Sequence, residues 1–326
     1  MRRRRAGSYL IAALGVLGLF GWPACRRSAA PSPPDSTLAV GLALASPVHA
    51  IGWLAQEKGF FAASGLTATV QVLGGSAATV QALLGGRLEL ALAGGDAALK
   101  ANAAGGDLVV LAGLIHRHIH RLVARPEISG PGDLRGKRIG LPFTGGPQDM
   151  AVHYALGRYG LRYGVEVEIL SLGKDFNLMV ALERNTIQAA TSQLPPARLQ
   201  SLGLKVLMDL AKEPVAFPYL MVLTTRSALQ SRPGALKAGL KALCAAIRYY
   251  RAPENLDESV RLIAPHLGLT APEAAEQVQD LGPSRFSWPP VPETSALASL
   301  ASDAGAVTRL VELTPLRQLQ AEGHCG

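Results

Sequence analysis

Two parts of the chain run through the same order of elements at one offset, and this repeat limits the fold more than any other feature. "VGL" at Val40–Leu42 corresponds to "IGL" at Ile139–Leu141, and "LG" at Leu73–Gly74 to "LG" at Leu172–Gly173. "ALLGGRLELA" at Ala82–Ala91 corresponds to "ALERNTIQAA" at Ala181–Ala190. Between the first two blocks the register slips, and Gly65-Leu66 meets Gly160-Leu161. Within each copy, short apolar β-type runs alternate with helical patterns, which argues for parallel sheets covered on both faces. In the first copy strands are expected at Leu38–Leu44, Thr67–Leu73, Leu88–Ala93 and Leu108–Leu114, with helices at His49–Ser64, Ala77–Gly85 and Asp96–Ala103. In the second, strands are expected at Arg138–Pro142, Val165–Leu170, Ile187–Thr191 and Lys205–Leu210, with helices at Pro147–Tyr159, Asn177–Arg184 and Pro195–Leu202.

After a strand pattern at Tyr219–Thr224 the chain becomes helical: Ala235–Arg251, Glu254–Leu267, Ala271–Leu281 and Thr294–Leu310, punctuated by glycine and proline. The expected fold class is α/β, with two lobes, each a mostly parallel sheet flanked by helices, and a helical C-terminal extension on the first lobe. The expected boundaries are 37–122 plus 223–326 for lobe 1 and 123–222 for lobe 2, with crossings near 116–125 and 213–222.

The N-terminus reads as a targeting segment. Arg2–Arg5 form a basic head, and Tyr9–Trp22 form an apolar body, shorter than the ~20 residues of a membrane span. "PACRRS" places Cys25 after Ala24, as at the end of a lipoprotein signal. Residues 1–25 are therefore expected to be a signal peptide ending at a lipidated Cys25, and "RRSAAPSPPDS" (26–36) a flexible tether. The alternative is cleavage near Ala29 or Ala30 and a soluble periplasmic protein. Without the four arginines the formal net charge falls from +8 to +4, which gives little reason to invoke nucleic acid. Cys244 and Cys325 could pair in an oxidising compartment. Cys244 sits in an apolar helical pattern, however, and a buried small hydrophobe is the favoured reading.

Each strand ends in a small or polar turn that opens a helix. In open parallel sheets ligands sit beyond the carboxyl ends of the strands, where helix N-termini offer free N–H groups and partial positive charge. The first copy supplies Ser46 and His49, Gly75 and Ser76 of "GGS", and Gly95 and Asp96 of "GGD". The second supplies Thr144, Gly145 and Gly146 of "TGGPQ", and Ser192 and Gln193 of "SQLPP". Tyr219 on the return crossing could close over a ligand. Pro47 and His49 could equally serve as helix starts, and Thr144 and Asp96 as caps. Lys174, Arg117 or Arg121 could assist an anion, and Asp96 a cationic group. In "HRHIHR", His116, His118 and His120 would share one side of a strand. That spacing makes a poor tetrahedral cage, so no metal is expected, nor any cofactor.

"AQEKGFFAASGL" (Ala55–Leu66), "ALLGGRLELALAGGDAAL" (Ala82–Leu99), "DLRGKRIGLPFTGGPQD" (Asp133–Asp149), "ALERNTIQAA" and "TTRSAL" (Thr224–Leu229) together resemble the ABC-transporter substrate-binding proteins of the nitrate/sulfonate/taurine and thiamine-pyrimidine-precursor type. The resemblance implies a type II periplasmic-binding-protein fold. It also implies a non-enzymatic, monomeric protein that holds a small solute between its lobes and delivers it to an ABC permease and its ATPase, itself fixed to the membrane by a lipid anchor. "ASPVHAIGW" lacks the aromatic residue that pyrimidine-binding relatives often carry in this loop, so an organic anion such as a sulfonate is the expected ligand. The alternatives are a pyrimidine or amine precursor, or an enzyme or sensor lipoprotein on the same scaffold.

Overall fold

The computed structural model describes residues 36–173, 175–301 and 303–326. Cys25, the signal segment and nearly all of the tether lie outside the described residues, as does Lys174. Among the described residues ten strands form two five-stranded sheets. The first sheet takes β1 (Thr37–Leu42), β2 (Thr67–Val72), β3 (Leu90–Ala93) and β4 (Leu108–Ile115). The second takes β5 (Arg121–Ala124), β6 (Arg138–Leu141), β7 (Glu168–Ser171), β8 (Ala189–Ser192) and β9 (Lys205–Asp209). The last strand, β10 (Leu220–Thr225), returns to the first sheet.

The strand orders, β2-β1-β3-β10-β4 and β7-β6-β8-β5-β9, have the same plan. In each, three strands run parallel, and the fourth position is an antiparallel strand that has just arrived from the other sheet. The repeat in the sequence is thus a repeat of topology. Buried, nearly continuous apolar strands such as "LVVLAGLI" in β4 mark the sheet interior.

On the first sheet pack α1 (Ala50–Glu57), α2 (Phe60–Ala63), α3 (Ser76–Leu84) and α4 (Gly95–Ala103). The second carries α5 (Pro147–Arg158), α6 (Asp175–Glu183) and α7 (Pro196–Ser201). The C-terminal part adds α8 (Arg226–Ser231), α9 (Pro233–Arg251), α10 (Leu256–Leu267), α11 (Ala271–Leu281), α12 (Thr294–Ala298), α13 (Ala304–Leu310) and α14 (Thr314–Ala321). Leu236, Leu240, Leu243 and Ile247 of α9 and Ile263 of α10 join the core beside α1, while Leu310 of α13 closes the opposite face. The extension therefore completes the first lobe.

Several expectations are corrected. The helix expected over His49–Ser64 breaks at Gly59, whose φ of 69° lies in the left-handed region. The helix expected over Thr294–Leu310 divides into α12 and α13, because Asp303 turns out of the helix and caps α13 through the Ala306 amide at 2.8 Å. Helices α8 and α14 had no counterpart in the sequence reading. Cys244 and Cys325 form a disulfide rather than standing as separate buried thiols, which pins the C-terminus to α9. The histidine-rich run is not a strand: β4 ends at Ile115 and β5 starts at Arg121.

The reason for this last difference is that residues 116–120 carry the chain from one sheet to the other. They lie against the return crossing, with Phe217 N donating to His116 O at 2.9 Å and Tyr219 N to Ile115 O at 3.0 Å. The three imidazoles consequently meet different neighbours. His116 Nε2 is 3.0 Å from Val291 O. His118 stacks on Phe217 at 3.8 Å. His120 lies against Tyr219, its Nε2 3.0 Å from Gln193 Nε2.

Candidate functional site

The carboxyl ends of β1, β2 and β3 face those of β6 and β7 across a cleft of about 290 Å³, at the small end of the roughly 300–1,000 Å³ typical of ligand sites. From the first lobe come Ala43, His49, Gly74, Gly75, Ser76 and Gly94; from the second come Phe143, Thr144, Gly146, Gln148 and Ser171; Tyr219 enters from the return crossing. Helices α3 and α5 both begin here, so two positive dipole ends converge on the gap. The turn before α3 needs glycine, because Gly75 has φ 126° and its amide donates to Ala43 O at 2.6 Å. Ser76 Oγ in turn accepts from Gly94 N at 3.0 Å, tying two strand-end turns together. Among the described residues no Asp, Glu, Lys or Arg lines the cleft.

Of the expected site residues, His49, Gly75, Ser76, Thr144, Gly146 and Tyr219 are brought together here. Gly145 sits in the same turn, but its amide donates at 2.8 Å to Asp149 Oδ2. Gly95 is packed away from the gap, its amide bonded to Pro218 O at 2.8 Å. Asp96 is 2% exposed and faces a separate cavity of about 680 Å³, rimmed by Lys100, Arg226 and Arg309. Ser46, Ser192 and Gln193 line a third cavity, of about 540 Å³, opposite Glu273 of α11. Gln193 spans the lobes there: its Oε1 accepts from Ser46 Oγ at 2.8 Å, while its Nε2 meets His120.

The arginines suggested for an anion are committed elsewhere. Arg117 pairs with Glu293 at 2.9 Å. Arg121, which is buried, holds Asp280 of α11 through two bonds of 2.8 and 2.9 Å and Asp209 of β9 at 3.3 Å. Sequence reasoning left out Gln148, Phe143 and Ser171. The signal for Gln148 was available, since it follows the glycine turn at the start of α5.

The titratable groups around the cleft are tuned by burial. It lowers His49 to about 3 and so keeps the ring neutral, and neither ring nitrogen has a hydrogen-bond partner among the described residues. It raises Asp96 to about 6, with Lys100 opposing the rise and Asp149 adding to it. The backbone amides of Ala97 and Asp96 itself also pull Asp96 down, yet neither carboxylate oxygen makes a well-formed hydrogen bond.

No curated protein matches the sequence significantly. Solved structures do resemble the fold. The alkanesulfonate-binding protein SsuA from Xanthomonas axonopodis pv. citri, bound to MOPS, has a TM-score of 0.67 at 16% identity, covering 81% of this chain and 90% of that one. The periplasmic nitrate-binding protein NrtA from Synechocystis PCC 6803 has a TM-score of 0.69 at 14% identity, covering 89% and 91%. A cysteine-to-serine mutant of DSZB in complex with biphenyl-2-sulfinic acid has a TM-score of 0.62 at 19% identity, covering 88% and 99%. At these identities the likeness concerns the fold, which is that of the periplasmic binding proteins. Residues 46–255, more than half of the sequence, match the family described as NMT1/THI5 like, and the chain belongs to that family.

Proposed function

We propose that the protein is an exported solute-binding protein that traps a small organic anion, of the sulfonate kind, in the cleft and hands it to an ABC permease. The observation that carries this reading is the convergence of two helix N-termini on a gap with no Asp, Glu, Lys or Arg among the described residues of its lining. Amide donors and dipole ends suit an oxyanion head, and Phe143 and Tyr219 suit an apolar body. Lobe closure supplies the switch: a ligand that touches both walls binds the closed state better and shifts the population toward it.

The Cys244–Cys325 bridge supports an oxidising compartment, and no helix among the described residues is long and apolar enough to cross a membrane. Cys25 would carry the lipid, and residues 26–36 would be the leash between anchor and binder. The protein would act as a monomer.

A melting screen against sulfonates, nitrate, pyrimidines and aromatic acids tests the reading. A saturable rise in Tm with sulfonates, and no product, is the expected outcome. A shift with pyrimidines alone would replace the ligand class. Turnover of a bound solute would put chemistry on this scaffold instead.

A further inference from the structure

Among the described residues the cleft lining offers an anion dipoles and no full charge, and two buried carboxyls beside it have the opposite of the helpful sign. Asp149, the third residue of α5, directly follows the cleft residue Gln148. It is 8% exposed; its Oδ2 accepts from Gly145 N at 2.8 Å, and its Oδ1 accepts from the Tyr163 hydroxyl. Asp96, the second residue of α4, is 2% exposed. Its Oδ1 lies so close behind Gly94 that a Cβ placed on that cleft residue would come within 2.4 Å of it. Neither Asp96 oxygen makes a well-formed hydrogen bond among the described residues, and Asp96 feels the charge of Lys100 and, less strongly, that of Asp149. The nearest cation on α4, Lys100, faces the separate cavity rather than the cleft.

Resting on the reading of the cleft as an anion trap, we propose that Asp149 and Asp96 restrict its ligand to a single negative charge, admitting a sulfonate- or carboxylate-type monoanion and rejecting a dianion of the same shape. Each helix N-terminus contributes about half a positive charge, so α3 and α5 together match about one negative charge. A second one finds no counter-charge among the described residues of the lining and meets two buried carboxyls through a medium that screens poorly. The geometry of the turn does not itself require this. An asparagine at 149 could accept from Gly145 N and meet the Tyr163 hydroxyl equally well, so the charge is separable from the fold.

The experiment uses isosteric pairs: benzenesulfonate against phenylphosphonate, and ethanesulfonate against ethylphosphonate, at a pH above the second ionisation of the phosphonates, where they are dianions. Titration calorimetry on wild type, Asp149→Asn, Asp96→Asn and Tyr163→Phe gives the sulfonate-to-phosphonate affinity ratio for each, and a melting scan confirms that each is folded. We expect a wild-type preference of about 100-fold or more for the sulfonate. We expect that ratio to shrink by about tenfold or more in both Asn variants through a gain in dianion affinity, and to hold in Tyr163→Phe, which keeps the charge and loses one bond. An unchanged ratio in the folded Asn variants overturns the inference while leaving the anion trap standing. Wild type that takes neither member of either pair overturns the anion trap, and the inference with it.

Discussion

Acid titration of the buried histidines gives the sharpest physical test of the crossings. Burial lowers both His49 and His118 to about 3. Burial first, and then the charges of His118 and Arg121, hold His120 well below its ordinary value. The folded values lie below the unfolded value of about 6.5, so below that pH the unfolded chain binds more protons than the folded one. Stability is then fully present above about pH 6.5 and drains away as the pH falls toward the folded values.

At pH 5 the linkage amounts to about 2 kcal/mol for each of His49 and His118, about 4 kcal/mol together, and His120 acts in the same direction. That approaches the low end of the 5–15 kcal/mol margin of an ordinary protein. Over an unfolding entropy of about 0.6 kcal/mol per kelvin for a chain of this length, His49 and His118 together lower Tm by about 7 °C between pH 8 and pH 5. His118→Phe keeps the stack on Phe217 and removes one of the three protons. Its Tm should therefore fall about 3 °C less over the same interval. Scanning calorimetry of both proteins at several pH values makes the comparison. Parallel Tm curves would refute the assignment of a buried neutral imidazole to this position.

The remaining predictions are as direct. Reducing the Cys244–Cys325 bridge, which spans 81 residues of sequence, should cost about 4.5 kcal/mol by chain entropy and about 7 °C in Tm; melting with and without a phosphine reductant measures it, and no shift would contradict the bridge. Arg121→Met takes from Asp280 and Asp209 their buried partner, leaving them Arg285 at 3.6 Å and Lys212 at 4.0 Å, and should destabilise by about 3 kcal/mol, with Arg121→Met/Asp280→Leu recovering part of the loss in urea unfolding. Asp96→Asn should raise Tm above about pH 6, where the raised folded pKa makes the charged form a burden, and should leave it unchanged below about pH 3, where both states are protonated. Gly75→Ala forces a side chain onto a φ of 126° and sets a methyl 3.6 Å from Phe143 across the cleft; it should abolish the ligand-induced melting shift, and an undiminished shift would move the ligand elsewhere.

How far the structure could be read in advance depended on whether a feature was local. The parallel strands were legible because runs such as Leu108–Leu114 are apolar without interruption, and the turns at Gly74–Ser76 and Thr144–Gly146 because strand, glycine and helix follow directly in the chain. The four-residue β5 was hidden behind "HRHIHR", whose alternation imitates a strand although the chain there is only passing between sheets. The separation of Ser46, Ser192 and Gln193 from the cleft was not legible, since it depends on how the lobes meet and on α11 roofing a cavity of its own. The disulfide joins positions too far apart in sequence for spacing to suggest it.

The place of β10 sets a timetable for the chain as it is made. Every strand of the second sheet lies between Arg121 and Asp209, so that half is complete as soon as β9 has emerged. The first sheet has a gap between β3 and β4 that only Leu220–Thr225 can fill. Until then two strand edges stand open to unwanted pairing. The half that is begun first is finished last, and a chain cut short before Leu220 would hold one finished sheet beside a broken one.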